Sequence, residues 1–197
     1  TGVEVPESLY TGAGPQVRYW QALSPRIAPA ARAAAAELAA TAGVFSSAGL
    51  ADLYGEIYQD GESGSTEMGV ARELRTAHID SDVNDRIRAL HTLWDEAKTP
   101  RAQYGRMILT ARAASWIPAS AEITEPERLI ASMLSAGMEA SAMEWRSVAP
   151  RGSQAWALLA LGNPSNARVA YDDFDTYSSA VGGRKAQMLL AGLAGLG

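Results

Sequence analysis

The sequence predicts an all-α protein in which antiparallel helix pairs pack either as an α-solenoid or as an irregular helical bundle. Helix-forming residues dominate, since alanine is abundant and long alternating runs of Val, Ile and Thr are missing. Apolar residues recur three and four positions apart along most of the 197 residues. The periodic segments run for about 10 to 18 residues and are joined by short connections rich in Gly, Pro and Ser, as in stacked helices.

Residues 1–24 are predicted to form an extended N-terminal arm. The opening "TGVEVPESLYTGAGP" holds two Pro and three Gly and has no hydrophobic period. The "QVRYWQALSP" that follows is expected to add no more than a short helical turn. Residues 25–197 are then predicted to be one all-helical domain. We expect this domain to be part of a longer chain, because the sequence begins with Thr rather than Met and ends in the uncharged "MLLAGLAGLG".

Two helices are predicted directly after the arm. The first, "PRIAPAARAAAAELAATAG", is rich in alanine, and Gly43 is suited to the position just past its C-terminus. The second is "VFSSAGLADLYGEIYQ", which ends at the polar stretch "DGESGST". One face of this second helix collects its large apolar side chains, namely Leu50, Leu53, Tyr54 and Ile57.

Three more helices are predicted in the middle of the chain. "TEMGVARELRTAHI" is amphipathic, and so is "SDVNDRIRALHTLWDEAK", which Ser81 or Asp82 caps at its N-terminus. "PRAQYGRMILTARAASWI" has Pro100 in its first turn and is stopped by Pro118. Acidic residues are concentrated in this region, because residues 52–96 hold eleven Asp or Glu against four Arg. We interpret this charge as a solvated helix surface, with a face that selects a basic partner as the alternative.

A helical hairpin is predicted over residues 129–145, "LIASMLSAGMEASAMEW". Thr124 and Glu127 have the spacing of a capping box for its first helix, and Pro126 suits the first turn. Gly137 is expected just past that helix in a left-handed conformation. This helix-turn-helix pattern resembles tetratricopeptide-like repeats, although no position-by-position signature and no fixed period of that family accompany it. The resemblance implies a superhelical array with a concave binding face.

The C-terminal part combines two predicted helices with a less regular stretch. "GSQAWALLALGNP" is a short apolar helix stopped by Gly162 and Pro164. "NARVAYDDFDTYSSAVGG" is predicted to be the least helical segment, with a strand over residues 167–171 as an alternative. "RKAQMLLAGLAGLG" resumes a helix, and its apolar side carries Met188, Leu189, Leu193 and Leu196. This side must pack back on the domain, pair with a second copy of the chain in a homodimer, or lie partly exposed.

Charge and cysteine content argue against several classes of protein. With a net charge of −5 and no stripe of Lys or Arg, the chain lacks the electrostatic pattern of a nucleic-acid-binding protein. The absence of cysteine excludes disulfides and thiolate metal sites, and it is compatible with both the cytoplasm and the periplasm. No apolar run of the sequence is long enough to predict a transmembrane segment.

No metal site and no cofactor are predicted. His78 and His91 are the only histidines, too few for a site built from several imidazoles. His91 and Asp95 lie four positions apart, which we interpret as a contact on a helix surface. The three aspartates of "YDDFDTYSS" lack the Gly turn and terminal Glu of an EF-hand loop and are interpreted as a solvated loop. No Gly-rich stretch has the preceding strand and the Lys-Ser/Thr pair of a phosphate-binding loop.

Four tryptophans are candidate binding residues, namely Trp94, Trp116, Trp145 and Trp156. Each falls on or near the apolar side of a predicted helix, and methionines are interleaved with them. Core packing is one interpretation of this pattern. An aromatic-lined groove for a peptide or a glycan is the other.

Two hypotheses on function follow from these patterns. The first is a non-enzymatic helical scaffold that binds a protein or peptide partner. The second is a helical enzyme domain that acts on a glycan through a lone carboxylate, either Glu62 or Glu139. Glu62 stands in "ESG", which is similar to the acid Glu and adjacent Ser of the helical lytic transglycosylases. Because no catalytic signature accompanies either Glu, we expect the scaffold.

Overall fold

Eleven α-helices and no strand occur in the part of the chain that the structure describes, which confirms the all-α prediction. The structure is a computed structural model that describes residues 9, 12, 14–61, 64–163 and 168–196. The chain divides into two compact units, Thr1–Trp116 and Ile117–Gly197, where the sequence led us to expect one helical domain over 25–197. Within the described ranges, no helix has both the length and the apolar character needed to cross a membrane.

Unit 1, Thr1–Trp116, contains six helices in its described residues. They are α1 (Pro15–Leu23), α2 (Pro29–Thr41), α3 (Ser47–Asp60), α4 (Thr66–Ile79), α5 (Val83–Glu96) and α6 (Pro100–Ser115). The first helix lies within residues 1–24, where the sequence predicts an extended arm with a short helical turn. It begins with a proline, whose fixed φ suits a first helical turn. Its residues Gln21 and Ala22 are buried, and Gln21 Nε2 donates to the Ala31 carbonyl at 2.8 Å, so α1 packs on α2 instead of extending away.

Side-chain caps begin the last four helices of unit 1. A side-chain oxygen accepts a hydrogen bond from a backbone N–H of the first turn in α3, α4, α5 and α6, where the caps are Ser46, Ser65, Asp82 and Thr99. Each cap satisfies a donor that has no partner within the helix. The predicted cap at Asp82 is confirmed, as is the place of Pro100 in the first turn of α6. Gly43 lies just past α2 with a φ of +73°, as predicted.

Helix α6 packs against α2, α3, α4 and α5, so unit 1 is organised around it. In a solenoid, each repeat contacts only its neighbours in the chain. The solenoid arrangement is therefore not confirmed, and the contacts of unit 1 favour the irregular bundle. The predicted apolar face of α3 is buried in the core of this unit, at Leu50, Leu53, Tyr54 and Ile57.

Small residues allow α2 and α6 to approach each other closely. The buried face of α2 consists entirely of alanines, namely Ala33, Ala35, Ala36, Ala39 and Ala40. On the facing helix, a Cβ built at Gly105 would lie 3.5 Å from Glu37 Cβ and 3.6 Å from the Glu37 carbonyl oxygen. These are ordinary contact distances, so a methyl group at position 105 would touch α2 without displacing it.

Unit 2, Ile117–Gly197, contains five α-helices and one 3₁₀ helix in its described residues. They are α7 (Pro126–Ser135), α8 (Glu139–Met143), the 3₁₀ helix (Glu144–Ser147), α9 (Gln154–Leu161), α10 (Tyr171–Val181) and α11 (Gly183–Leu196). Helix α9 packs against α7 and α11, and α10 packs against α11. A core cluster of this unit joins Ala157 of α9, Tyr177 of α10 and Leu189 of α11.

The predicted hairpin over residues 129–145 turns at Gly137, as the sequence indicates. Gly137 has a φ of +71°, the left-handed conformation that glycine adopts without a Cβ clash. The N–H of Met138 donates to the Met133 carbonyl at 3.0 Å, and that of Gly137 donates to the Leu134 carbonyl at 3.2 Å. This pair of bonds is the Schellman motif, which satisfies carbonyls at the end of α7.

The start of α7 differs from the predicted capping box. Its N-cap is Glu125, at a φ of +54° and without a side-chain cap bond, so the prediction of Thr124 as the cap was wrong. Because Pro126 fits only the first helical position, the helix boundary falls on the residue directly before it. The second arm of the hairpin is short, since α8 ends at Met143 and the chain continues as a 3₁₀ helix.

Helix α10 corrects the prediction of an irregular segment after Pro164. The helix begins at Tyr171, and the strand predicted over 167–171 does not form in the described residues of that range. Phe174, Tyr177 and Val181 recur at helical spacing and contribute to the unit 2 core. Two of the aspartates that we interpreted as a solvated loop lie in the first turn, where the positive end of the helix favours carboxylates.

Two glycines of unit 2 provide a test of how closely its segments approach. Gly137 and Gly152 both have a φ of +71°. A Cβ at Gly137 would meet nothing within 4 Å, whereas a Cβ at Gly152 would lie 2.6 Å from Thr176 Cγ2 and 3.2 Å from the Asp173 carbonyl oxygen. We expect Gly137→Ala to lower the free energy of unfolding by about 1 kcal/mol through backbone strain. Gly152→Ala should lower it by about 3 kcal/mol, because α10 must also shift. Urea denaturation followed by circular dichroism measures both losses, and equal losses would contradict the close approach at Gly152.

Candidate functional site

Two of the four candidate tryptophans belong to hydrophobic cores. Trp94 is 1% exposed, and its indole N–H donates to Thr110 Oγ1 at 2.8 Å within unit 1. Trp145 is likewise 1% exposed, within unit 2. Both were predicted as binding residues, but in the structure neither ring presents a surface to a ligand. Each instead buries a large apolar area in its own unit.

The other two candidate tryptophans are accessible, each within its own unit. Trp116 is 48% exposed at the C-terminal end of α6. Its ring meets His78 in a T-shaped arrangement with centroids 5.4 Å apart, and the guanidinium carbon of Arg112 lies 5.4 Å from the Trp116 centroid. Trp156 is half-buried in unit 2, where its ring centroid lies 6.4 Å from that of Tyr177. Both remain predicted binding residues.

A groove of about 410 Å³ lies between α3 and α4 of unit 1, with Arg112 of α6 at its border. We call it the α3–α4 groove. Its buried lining residues, Tyr54, Ala71 and Leu74, form a floor that is apolar apart from one hydroxyl group. His78 also lines the groove, which places the contact between His78 and Trp116 beside it.

The exposed rim of the α3–α4 groove combines an aromatic, a cationic and an aliphatic side chain. Tyr58 is 38% exposed and Ile79 is 61% exposed. The Arg75 guanidinium carbon lies 4.9 Å from the Tyr58 ring centroid, a cation–π contact between α3 and α4. The same three residues also line a second depression of about 510 Å³. The rim is therefore shared by two adjoining depressions.

Gly55 leaves space open in the middle of the groove. It lies inside α3, where glycine costs about 1 kcal/mol relative to alanine. A Cβ at this position would meet nothing within 4 Å, so no neighbouring atom requires glycine here. Gly69 of α4 is a second helical glycine with nothing within 4 Å, and it is not among the residues that line the groove. The two glycines thus form a matched pair for testing the groove.

A hydrogen-bonded cluster holds the floor of the groove in place. The Tyr54 hydroxyl donates to Glu37 Oε1, and Arg106 Nη1 lies 3.4 Å from the same carboxylate oxygen. The Arg106 guanidinium carbon also lies 5.7 Å from the Tyr54 ring centroid. Burial and the adjacent Glu37 carboxylate raise the pKa of Tyr54 well above its ordinary value. The phenol therefore stays protonated and remains a hydrogen-bond donor.

His78 is held in its neutral form at the edge of the groove. Its Nδ1 lies 2.8 Å from the Leu74 carbonyl oxygen, and because a carbonyl only accepts, Nδ1 carries the hydrogen. Burial lowers the pKa of His78 below its ordinary value, and this effect outweighs the opposing bond to Leu74. The positive charges of Arg112 and Arg86 lower the pKa further. The charges at the groove at neutral pH are therefore those of its Arg and Asp residues.

Among the residues that the structure describes, the other candidates for chemistry do not form a site. Glu62 lies outside the described residues. Glu139 is exposed at the first position of α8, without the apolar enclosure that an acid catalyst needs. His91 packs beside Trp94 with ring centroids 5.4 Å apart, and Asp95 is exposed on the same helix. In the described ranges, no group of three or more His, Asp or Glu is placed to hold a metal ion.

Sequence reasoning missed the rim of the α3–α4 groove. Tyr58 and Arg75 stand on different helices, and no periodic pattern indicates that the two side chains meet. Ile79 is the last residue of α4. Its apolar side chain suggests a place on the buried face of the helix, but the side chain is exposed. The available signal was Gly55, because a glycine inside a helix costs about 1 kcal/mol relative to alanine.

The pKa shift of His78 predicts how stability responds to pH. Its pKa is lower in the folded than in the unfolded chain, so below the unfolded value of about 6.5 the unfolded state binds more protons. This contribution to stability is present above that pH and is lost as the pH falls through the window beneath it. We expect wild type to lose more free energy of unfolding than His78→Gln when the pH falls from roughly 7.5 to 5.5, the range in which histidine titrates. Urea denaturation at the two pH values measures both losses. Parallel losses would contradict the assignment of a neutral, pKa-lowered His78.

Comparison with known proteins gives no relative from which a function can be transferred. The sequence matches no protein-family model, and neither a curated protein nor a solved structure matches it. The α3–α4 groove is thus the feature of unit 1 from which function can be inferred: an open depression with an apolar floor and a rim of Tyr58, Arg75 and Ile79.

Proposed function

We propose that the protein is a non-enzymatic helical scaffold whose α3–α4 groove binds a peptide segment of a partner protein. The observation that carries this proposal is the exposed rim of Tyr58, Arg75 and Ile79 above a buried apolar floor. Exposed Tyr and Arg beside apolar pockets are typical of the residues that dominate binding energy in protein interfaces. A volume of about 410 Å³ is within the range of pockets that take a drug-sized group, such as one or two side chains.

The charges around the groove favour an acidic residue in the bound segment. Three arginines and two aspartates line the two depressions, namely Arg72, Arg75, Arg112, Asp52 and Asp80. We therefore propose a segment with an apolar side chain for the floor and a neighbouring carboxylate for Arg75 or Arg112. This differs from the basic partner that the acid-rich stretch 52–96 suggests as an alternative, because part of that acidic charge lies away from the groove.

Blocking the groove tests the proposed function. Random peptides displayed on phage and selected on the full chain supply a ligand, and fluorescence anisotropy of a labelled peptide gives its Kd. Gly55→Leu places a side chain in the open space, and we expect it to weaken binding at least about tenfold. Gly69→Leu is the matched control and should leave the Kd unchanged, while both substitutions raise helix propensity by about the same amount, up to 1 kcal/mol. Selected peptides should share an apolar residue next to Asp or Glu.

Two results would contradict the groove as the binding site. The first is a selection in which no peptide is enriched over an unrelated protein. The second is a selected peptide that binds Gly55→Leu and Gly69→Leu with equal Kd values, since its site must then lie elsewhere on the protein. Circular dichroism of the two variants shows whether each retains the helical fold.

We propose further that α11 pairs with a second copy of the chain. Two of its predicted apolar residues already have contacts within unit 2, because Leu189 is buried and Leu193 packs against the same core. Met188 and Leu190, in contrast, are 67% and 54% exposed. Sedimentation velocity should detect a dimer of wild type that Met188→Asp combined with Leu190→Asp converts to a monomer. A wild-type chain that sediments as a monomer at all concentrations would contradict this pairing.

A further inference from the structure

Unit 2 contains a cationic cavity of about 270 Å³ that the peptide-binding proposal does not use. Three arginines line it, namely Arg146, Arg151 and Arg168. Asp173 is the acidic residue among its lining side chains, and the half-buried Trp156 supplies an aromatic wall. Three arginines thus stand against one acidic residue around this cavity, although the net charge of the chain is −5.

The positive charge of this cavity is only partly balanced. Arg151 Nη1 lies 3.6 Å from Asp173 Oδ2, which neutralises one arginine. Among the residues that the structure describes, no salt bridge joins Arg146 or Arg168 to a carboxylate. Two like charges facing one cavity repel each other, and an anion bound between them would remove this repulsion. The cavity therefore has the electrostatic character of an anion site.

Three separate segments of unit 2 bring the arginines together. Arg146 belongs to the 3₁₀ helix, and Arg168 precedes α10. Arg151 lies in the turn before α9, where Gly152 allows the chain to pass directly against Thr176 of α10. The N-cap of α10, Ala170, also lines the cavity, so the positive end of that helix adds to the field of the arginines.

We propose that this cavity binds a small phosphate monoester with an apolar or aromatic body. The phosphate would contact Arg146 and Arg168, since guanidinium groups match phosphate oxygens in charge and geometry. A phosphate monoester carries a charge close to −2 at neutral pH, which matches the two arginines that Asp173 does not neutralise. The body of the ligand would lie against Trp156. The cavity is at the lower limit of usual ligand pockets, which favours a small free ligand.

Isothermal titration calorimetry of the full chain with three probes tests this assignment. Phenyl phosphate carries both proposed parts, inorganic phosphate carries the charge alone, and benzyl alcohol carries the ring alone. We expect phenyl phosphate to bind at least about tenfold more tightly than inorganic phosphate, and benzyl alcohol to give no binding heat. Equal affinity for the two phosphates would overturn the proposal, because it would indicate an adventitious charge contact without use of Trp156.

Substitutions in and near the cavity test the roles of individual residues. Arg146→Gln and Arg168→Gln should each weaken phenyl phosphate binding about tenfold. Arg184→Gln is the matched control, since Arg184 is exposed on α11 and does not line the cavity, and it should change the affinity less than about twofold. A loss in Arg184→Gln as large as that in the other two would overturn the assignment.

A variant that is expected to gain affinity distinguishes a loss of the binding site from misfolding of the chain. Asp173→Asn removes the carboxylate that competes for Arg151, so phenyl phosphate should bind it about threefold more tightly than wild type. A misfolded chain would not give such a gain, and weaker binding would overturn the proposal.

A phosphotyrosine peptide blocked at both ends is the last probe. Tighter binding of this peptide than of phenyl phosphate would assign the cavity to phosphopeptides and overturn the assignment to a small free ligand.

Discussion

The Glu37 carboxylate joins three helices of unit 1, and the geometry of the unit depends on it. It extends from α2, accepts the hydroxyl hydrogen of Tyr54 on α3 and lies beside the guanidinium of Arg106 on α6. The charged side chains of Glu37 and Arg106 are both mostly buried, and a buried charge that loses its partner costs several kcal/mol. The three helices therefore cannot slide apart without a large penalty. Because Tyr54 is also part of the floor of the α3–α4 groove, the same contact fixes the surface that a ligand would meet.

Local signals were sufficient for most helices of unit 1. Side-chain caps such as Asp82 and the proline at the first position of α6 act within one turn, so they can be recognised without knowledge of the fold. The prediction of the apolar face of α3 was correct for a related reason, because the large apolar side chains of this helix contrast with their polar neighbours. In α2 this contrast is weak, since eight of its thirteen residues are alanine, and the pattern does not separate the buried alanines from the exposed ones.

Features that depend on contacts between elements could not be predicted. Trp94 and Trp116 both accompany apolar faces, yet one is buried and the other is exposed, because Trp116 follows the last turn of α6. Helix α10 was missed since Asp, Ser and Thr are weak helix formers, and they obscured the spacing of Phe174 and Tyr177. The candidate site could not be predicted for the same reason. The sequence gives no indication that the Arg75 guanidinium lies over the Tyr58 ring, because that contact exists only once α3 and α4 have packed.

The buried alanine face of α2 has a consequence for how unit 1 responds to change. Alanine has no side-chain rotamers to lose on folding, so this interface forms with almost no side-chain entropy cost. The same property removes the usual means of accommodation, in which neighbouring side chains change rotamer to absorb a new group. A larger residue at one of these buried alanines would instead displace a whole helix, and Glu37 belongs to the same helix. Unit 1 therefore responds to a change at this interface as a set of rigid rods, and a small local insertion there would be felt at the floor of the α3–α4 groove.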